Sequence, residues 1–322
     1  MHLLKHRHFP LAWSAGTHLT PTCFCFQNIL AQDYASPEKY PWIDSPEFLE
    51  WPYRNDLLAE RLLEIDADLV CLQEVPSNLF PDIMSKLSQS YDGILQNVSE
   101  SHNVGTAFLL RKNCCFTIRR AESRSRALIT VLEDKQDESL LYVCSVHLDA
   151  DKSWDPKTRQ YHQRQRENQL KSLIKRINHQ CKMDKQDINE VPIIIAGDFN
   201  MLRSNPINEA MSEGKVHPRC DVPLRDVYLQ NERNDRSSLP LYEKGESNTA
   251  TTSSETSHLT KTYRGGAVLD YIYVSDQVQV HDTLLCHPKA STLGGEKWPS
   301  KDHPSDHAPV GIDFEWSGDL RP

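Results

Sequence analysis

Residues 193–200 read IIIAGDFN. Three β-branched residues favour a strand, and an unbroken apolar run is the mark of a strand buried on both faces. Gly, Asp and Asn directly after it are turn residues, so the chain leaves the core here. Asp198 and Asn200 are then expected at a strand's carboxyl edge, where open α/β sheets place their ligands.

The same pattern recurs along the chain. LVCLQEV (69–75) ends an apolar run with Gln73 and Glu74, and LLYVCSVHL (140–148) ends another with His147. VLDYIYVS (268–275) sets Asp270 beside a hydrophobic strand, PSDHAPVGI (304–312) sets Asp306 and His307 just before one, and FCFQNIL (24–30) sets Asn28 just after the first. Singly, each has an ordinary reading: a rim histidine, a turn-capping aspartate, a surface glutamate. Together they imply one cleft, because several carboxylates gathered in one buried region are costly without a compensating cation or partner. Glu, Asp and Asn oxygens suit a hard divalent ion such as magnesium, which commonly bridges to phosphate. A histidine whose tautomer is fixed by a neighbouring carboxylate can donate to a phosphoryl oxygen.

Around these motifs the text alternates strands and helices. Strands are expected at 22–26, 69–75, 104–110, 128–132, 140–148, 192–197, 269–275, 278–286 and 307–316, and helices at 57–65, 80–89 and 158–178. A connection rich in proline (Pro37, Pro41, Pro46, Pro52) follows the first strand. This order predicts an α/β protein with partly antiparallel sheets rather than a pure doubly wound fold. No repeat of solenoid period is present.

At 322 residues, 38% hydrophobic and 25% charged, the chain can bury a substantial core. It has no run of about 18 apolar residues, so no membrane span or membrane partner is expected. A net charge of −9 argues against a protein that coats DNA, whose footprint would be basic. The nine cysteines are odd in number, lack a C-x-x-C pair and sit mostly in strand-like text, which reads as buried thiols in a reducing compartment rather than disulfides or a structural zinc site. Residues 1–32 hold no Asp or Glu. That leaves two readings of the start, a ragged lead-in and a weak mitochondrial presequence. The expected location is intracellular, cytoplasmic by the first reading and mitochondrial by the second.

The ordered set FQNIL, LQEV, SVHL, GDFN, LDYIY and PSDH resembles the endonuclease/exonuclease/phosphatase superfamily across residues 22–316. NILAQDYASP, Arg54 after Tyr53, the LQE glutamate and the R-x-x-Q of Arg166–Gln169 are similar to the deadenylase, nocturnin and angel relatives within it. The resemblance implies a four-layered α/β sandwich, two mixed β-sheets packed face to face and flanked by helices. It divides the chain into an N-terminal extension (1–21), a catalytic domain (22–317) and a tail (318–322); within the domain the stretch at about 245–258, rich in serine and threonine and poor in apolar residues, reads as a flexible surface loop.

By the same resemblance, Glu74 is the principal ligand of Mg2+ (Mn2+ as a substitute), with Asn28 holding metal water or phosphate and Asp306 near a second metal position. Asp198 positions or deprotonates the attacking water, and Asn200 binds the scissile phosphate. His307, oriented by Asp270, stabilises phosphoryl charge. His147 is a further phosphate contact, and Arg166 and Tyr263 face the substrate.

The implied activity is phosphoric ester hydrolysis by in-line water attack, as an RNA 3′-end exonuclease or a nucleotide phosphatase. A DNA-repair endonuclease and a non-catalytic module on the same scaffold are the alternatives. RNA or a nucleotide is the expected partner of a monomer that works without a leucine-rich-repeat adaptor. The sequence departs from these relatives at TYRGGAVLDYI, with Gly265 and Gly266 where an aromatic-Lys-Gly stretch is usual, and at HLDADKSWDP. There Asp149 and Asp151 would repel phosphate if they faced the cleft, while Trp154 and Pro156 offer a stacking surface.

Overall fold

Strand parity dictates the architecture. Residues of one parity face the facing sheet and those of the other face the helices. In the computed structural model, which describes residues 21–99, 103–153, 155–228, 262–263, 267–285 and 297–316, this produces two six-stranded sheets packed face to face. One has the order β11-β12-β1-β2-β4-β3 and the other β5-β6-β7-β8-β10-β9. In the first sheet the strands are β1 (Thr22–Asn28), β2 (Leu69–Pro76), β3 (Tyr91–Leu95), β4 (Val104–Arg111), β11 (Val278–Leu285) and β12 (Val310–Trp316). In the second they are β5 (Phe116–Arg124), β6 (Ala127–Asp134), β7 (Leu140–His147), β8 (Ile193–Asp198), β9 (Arg225–Asp226) and β10 (Asp270–Val274).

Each sheet is mixed: β1 runs parallel to β2, and β7 parallel to β8, among antiparallel neighbours. Helices α1 (Trp51–Ile65) and α2 (Phe80–Leu87) cover the first sheet through Leu58, Leu62, Ile83 and Leu87. The second sheet is covered by α3 (Pro156–Met183) and α4 (Pro206–Ser212) through Leu170, Ile174, Ile177 and Met211. The central layer is apolar: Phe24, Phe26, Leu69 and Cys71 from one sheet pack on Leu141, Val143, Ile194, Ala196, Ile272 and Val274 from the other. The four-layered sandwich expected from the sequence is the fold found.

Several elements were not anticipated. β3 is short and carries Gly93, and β5 is an edge strand with alternate residues exposed and with Arg119, Arg120, Glu122 and Arg124 along it, so neither has the apolar run of a buried strand. The helix expected at 57–65 begins earlier, at Trp51, with Pro52 in the first turn, where proline suits a helix. Arg119, Arg120, Arg124 and Arg126 lie on β5 and its turn into β6. Arg120 pairs with Asp184 and Gln180, and Arg119 with Glu133. Outside the described residues lie the extension 1–20, Trp154, the serine- and threonine-rich loop, Gly265 and Gly266, Cys286 and the tail. The other eight cysteines are free thiols. Among the described residues no helix is long and apolar enough to cross a membrane.

Candidate active site

The inner-facing parity of the central strands runs from apolar to polar at one end of the sandwich. Phe24 and Phe26 lead to Asn28; Leu141 and Val143 to Ser145 and His147; Ile194 and Ala196 to Asp198. β10, running the other way, begins with Asp270 before Ile272 and Val274. Register sets these ends side by side, His147 and Asp270 both pairing with Asp198, and Asn28 with Gln73.

Glu74 has the opposite parity and would point at the helices. It is brought round by an irregularity in the β2–β4 pairing between Leu72 and Val75 and by its own left-handed backbone, φ 57°. A bulge re-aims a side chain in this way, and a glutamate at such a φ costs of order 1–3 kcal/mol that the surroundings must hold. Asn200 is likewise left-handed, φ 49°. Gly197 (φ 143°) precedes Asp198 because a Cβ there would lie 2.0 Å from the Val146 carbonyl oxygen.

The side chains meet around one amide. Asn28 Nδ2 donates to Glu74 Oε1 at 3.1 Å and to Asp198 Oδ2 at 3.0 Å. Its Oδ1 accepts the Leu30 N–H at 3.0 Å, which fixes the orientation of the amide. The Ala31 N–H holds Glu74 Oε2 at 2.9 Å. His147 Nε2 lies 3.7 Å from both Glu74 Oε1 and Asp198 Oδ2, and His307 Nε2 is also 3.7 Å from Asp198 Oδ2. His307 Nδ1 donates to Asp270 Oδ2 at 2.9 Å. Asp198 Oδ1 accepts the Asn200 N–H at 2.8 Å, and Asn200 Nδ2 is spent on the Leu148 carbonyl at 3.0 Å.

Electrostatics separates these groups. Burial pushes the Asp198 carboxyl up to about 6, Asp270 adding to it and His307 opposing. Burial, reinforced by Asp306, also raises Glu74. Burial lowers His147 and so keeps it neutral. In His307 burial again favours the neutral ring, but Asp270 and Asp198 overcome it and raise the imidazole well above its ordinary value. Two carboxylates bridged by one neutral amide are short of positive charge, which is where a cation would be stabilised.

Asp198, Asp270 and His307 offer ligand atoms within 4.8 Å of one another. An imidazolium has no lone pair for a metal, however, and His307 Nδ1 is already committed to Asp270. The carboxylate side of the site at Glu74 fits a hard divalent ion better. Asp306 flanks that side, accepting from Tyr40 Oη at 3.0 Å and acting on the Glu74 carboxylate.

Of the residues expected from the sequence, Asn28, Glu74, His147, Asp198, Asn200, Asp270, Asp306 and His307 are gathered at this end of the sandwich, and the Tyr263 ring packs 4.9 Å from that of His307. Arg166 is placed differently. Its Nη1 holds the Asp149 carbonyl at 2.8 Å and Asp151 Oδ1 at 2.9 Å, and its side chain is 4% exposed, while Gln169 accepts the Asp149 N–H. The R-x-x-Q pair therefore shapes the loop after His147.

Other residues at the site gave a weaker signal or none. Ser305 donates to the Asn28 carbonyl at 2.6 Å and accepts the His307 N–H, and Gln27 holds the His307 carbonyl. Arg54, 1% exposed, spans the backbone carbonyls of Ile29, Leu30, Leu49 and Pro304 and the side chain of Gln32, tying the Asn28 loop to the His307 segment. Arg54 was singled out only by the resemblance, which gave it no role; Tyr40, in the proline-rich connection, left no signal.

Residues 182–307 match a family model described as Endonuclease/Exonuclease/phosphatase family. The chain is 25% identical to a CCR4-Not complex 3′-5′-exoribonuclease subunit Ccr4 from Candida glabrata, over 88% of this chain and 35% of that one. It is 24% identical to a 2′,5′-phosphodiesterase 12 from Mus musculus, over 90% of this chain and 51% of that one. It thus spans about a third to a half of the length of these curated relatives. The human Nocturnin catalytic domain, solved with a bound sulfate anion, superposes with a TM-score of 0.62 at 22% identity, covering 92% of this chain and 94% of that one. ANGEL2, a 2′,3′-cyclic phosphatase solved with adenosine-2′,3′-vanadate, does so at 0.64 and 18% identity, covering 91% and 95%. These two likenesses establish the fold.

Proposed function

We propose that this chain belongs to the endonuclease/exonuclease/phosphatase superfamily, in its deadenylase, nocturnin and angel branch, and is a metal-dependent phosphodiesterase acting on RNA 3′ ends or a related nucleotide. The observation that carries this reading is the Asn28 amide bridging Glu74 and Asp198 beside the His307–Asp270 pair. Glu74 would hold the cation, with Asp306 next to it, and magnesium is the ion assigned, manganese its substitute. When bound, such an ion supplies Lewis-acid stabilisation of phosphoryl charge.

The chain's own groups do the rest. Asp198, with its raised affinity for protons, orients the attacking water and takes its proton at Oδ2. His307, held protonated by Asp270, donates through Nε2 to the phosphoryl oxygen on which charge grows. Neutral His147 contributes a second contact to the same group, and the Asn28 amide keeps the two carboxylates apart without neutralising either. Asn200 reaches the scissile phosphate only by exchanging its bond to the Leu148 carbonyl. The ring of Tyr263 fixes the far side of His307 and offers a face to a base.

Substrate class rests on the relatives, whose names point to 3′-5′ RNA, 2′,5′ linkages and cyclic phosphates. Hydrolysis of bis-nitrophenyl phosphate with magnesium, abolished by a chelator, tests the chemistry. Oligo(A), 2′,5′-linked oligo(A), cyclic-phosphate-ended RNA and a DNA duplex with an abasic site, compared side by side, test the substrate. Preference for the abasic duplex would replace the RNA assignment with the repair endonuclease, and no hydrolysis of any ester would leave a binding module.

A further inference from the structure

The mouth of the site has two lips, one from each sheet. On the first, the single-turn 3-10 helix Gln32–Tyr34 follows directly from Ala31, whose N–H holds Glu74, and leaves Tyr34 43% exposed with Lys39 over one face of its ring. On the second, the tight turn from β5 to β6 sets Arg126 beside His147: the Arg126 carbonyl accepts the His147 N–H at 3.0 Å. The Arg126 side chain is 39% exposed and ion-paired to Asp149. The charges of Arg126 and Glu74 both bear on the Tyr34 hydroxyl, and that of Arg126 bears on His147 as well.

The sequence raised a difficulty here, since Asp149 and Asp151 directly after His147 would repel a phosphate chain. Both are matched by arginines: Asp149 by Arg126, Asp151 by Arg166 and Arg159. Nη2 is the Arg126 nitrogen nearest Asp149. A guanidinium carries five N–H donors in a rigid fork, more than one carboxylate can take up, so beside Asp149 it still presents an edge to a second anion.

We propose that Arg126 is a substrate-binding residue that takes a backbone phosphate adjoining the scissile one in a polynucleotide, oriented for it by Asp149, with Tyr34 bounding the passage opposite. This rests on the phosphodiesterase reading above and extends it to a site size greater than one nucleotide. Without Arg126, Asp149 would stand unmatched on this lip and repel a polyanion.

The test is equilibrium binding of a dye-labelled RNA hexamer, read by fluorescence anisotropy over a range of salt, to the full chain carrying Asp198→Asn so that substrate is not consumed. Adding Arg126→Gln is expected to weaken binding by about fivefold, the size of one partly exposed charge contact, and to lower the slope of log affinity against log salt by about 0.7, the value for one phosphate on a single strand. Arg126→Lys, which keeps the charge and loses the fork, should restore the slope and only part of the affinity. Asp149→Asn should leave the slope as it was. Equal affinity and slope with and without Arg126, or no binding to either protein, would overturn the proposal. Failure of the phosphodiesterase reading would show separately, as wild-type chain that binds the hexamer but hydrolyses no ester.

Discussion

Glu74 and Asp198 meet across a single amide, yet the chain delivers them by opposite routes. Asp198 ends a regular strand and inherits the inward direction of Ile194 and Ala196. Glu74 sits one residue out of phase and reaches the same place through a break in register and a left-handed backbone. One carboxylate is thus a consequence of the sheet, and the other is a local deformation that the sheet must hold. The difference teaches that parity can place a functional residue at no conformational cost, while aiming one against parity needs the support seen around Glu74: the Ala31 N–H, the Asn28 amide and the Arg54 carbonyl bridge behind them.

The largest effects should separate the two roles. Asp198→Ala and Glu74→Ala are each expected to add about 3–4 kcal/mol to the barrier for bis-nitrophenyl phosphate hydrolysis. In Glu74→Ala the residual activity should demand more magnesium for half-saturation, and in Asp198→Ala it should not. Identical metal dependence in the two variants would erase the distinction between a cation holder and a water-orienting base.

Next in size is the backbone beneath Asp198. Gly197→Ala should cost about 3 kcal/mol of stability in urea, because the new Cβ meets the Val146 carbonyl and φ lies where side chains are strained. An unchanged urea midpoint would contradict the close approach of β7 and β8 that aligns His147 with Asp198.

The raised Asp198 carboxyl gives a third test, with a definite sign. Its folded value, about 6, lies above the ordinary 3.8. Its contribution is therefore fully present below pH 3.8 and lost as pH rises through about 6. In chelator, Asp198→Asn should gain on wild type by a few kcal/mol at most between pH 4 and 6, and saturating magnesium should close the gap. A gap that widened toward acid pH would mean that Asp198 is already well compensated without a cation.

The smallest effect sharpens the account of Glu74. Both Glu74→Gly and Glu74→Ala remove the carboxylate, but only glycine adopts φ 57° freely. The glycine variant should be more stable than the alanine variant by about 1 kcal/mol. Equal stabilities would show that the backbone at 74 relaxes once the carboxylate is gone.

Much of this was legible in the sequence because it followed from period two. The runs ending in Asn28, His147 and Asp198 and the one starting at Asp270 announce both the central core and its polar edge. Glu74 was located by the same run, but its direction was not, since a bulge depends on pairing with β4 rather than on local text. β5 was missed because its charged, half-exposed text lacks the apolar run of a buried strand. Arg166 was expected at the substrate from its motif, while its partners Asp149 and Asp151 sit in the loop where this chain departs from its relatives. The orientation of the Asn28 amide was set by Leu30, a loop contact invisible to spacing.

The account stands on Glu74 being the oxygen anchor of a divalent cation within reach of Asp198. Anomalous diffraction from crystals soaked in manganese tests this most directly. The expected result is a peak at coordination distance from the Glu74 carboxylate, about 2.0–2.3 Å away, that vanishes in Glu74→Gln. A peak seated instead on the Asp270–His307 pair, or no peak beside Glu74 in hydrolytically active protein, would contradict it.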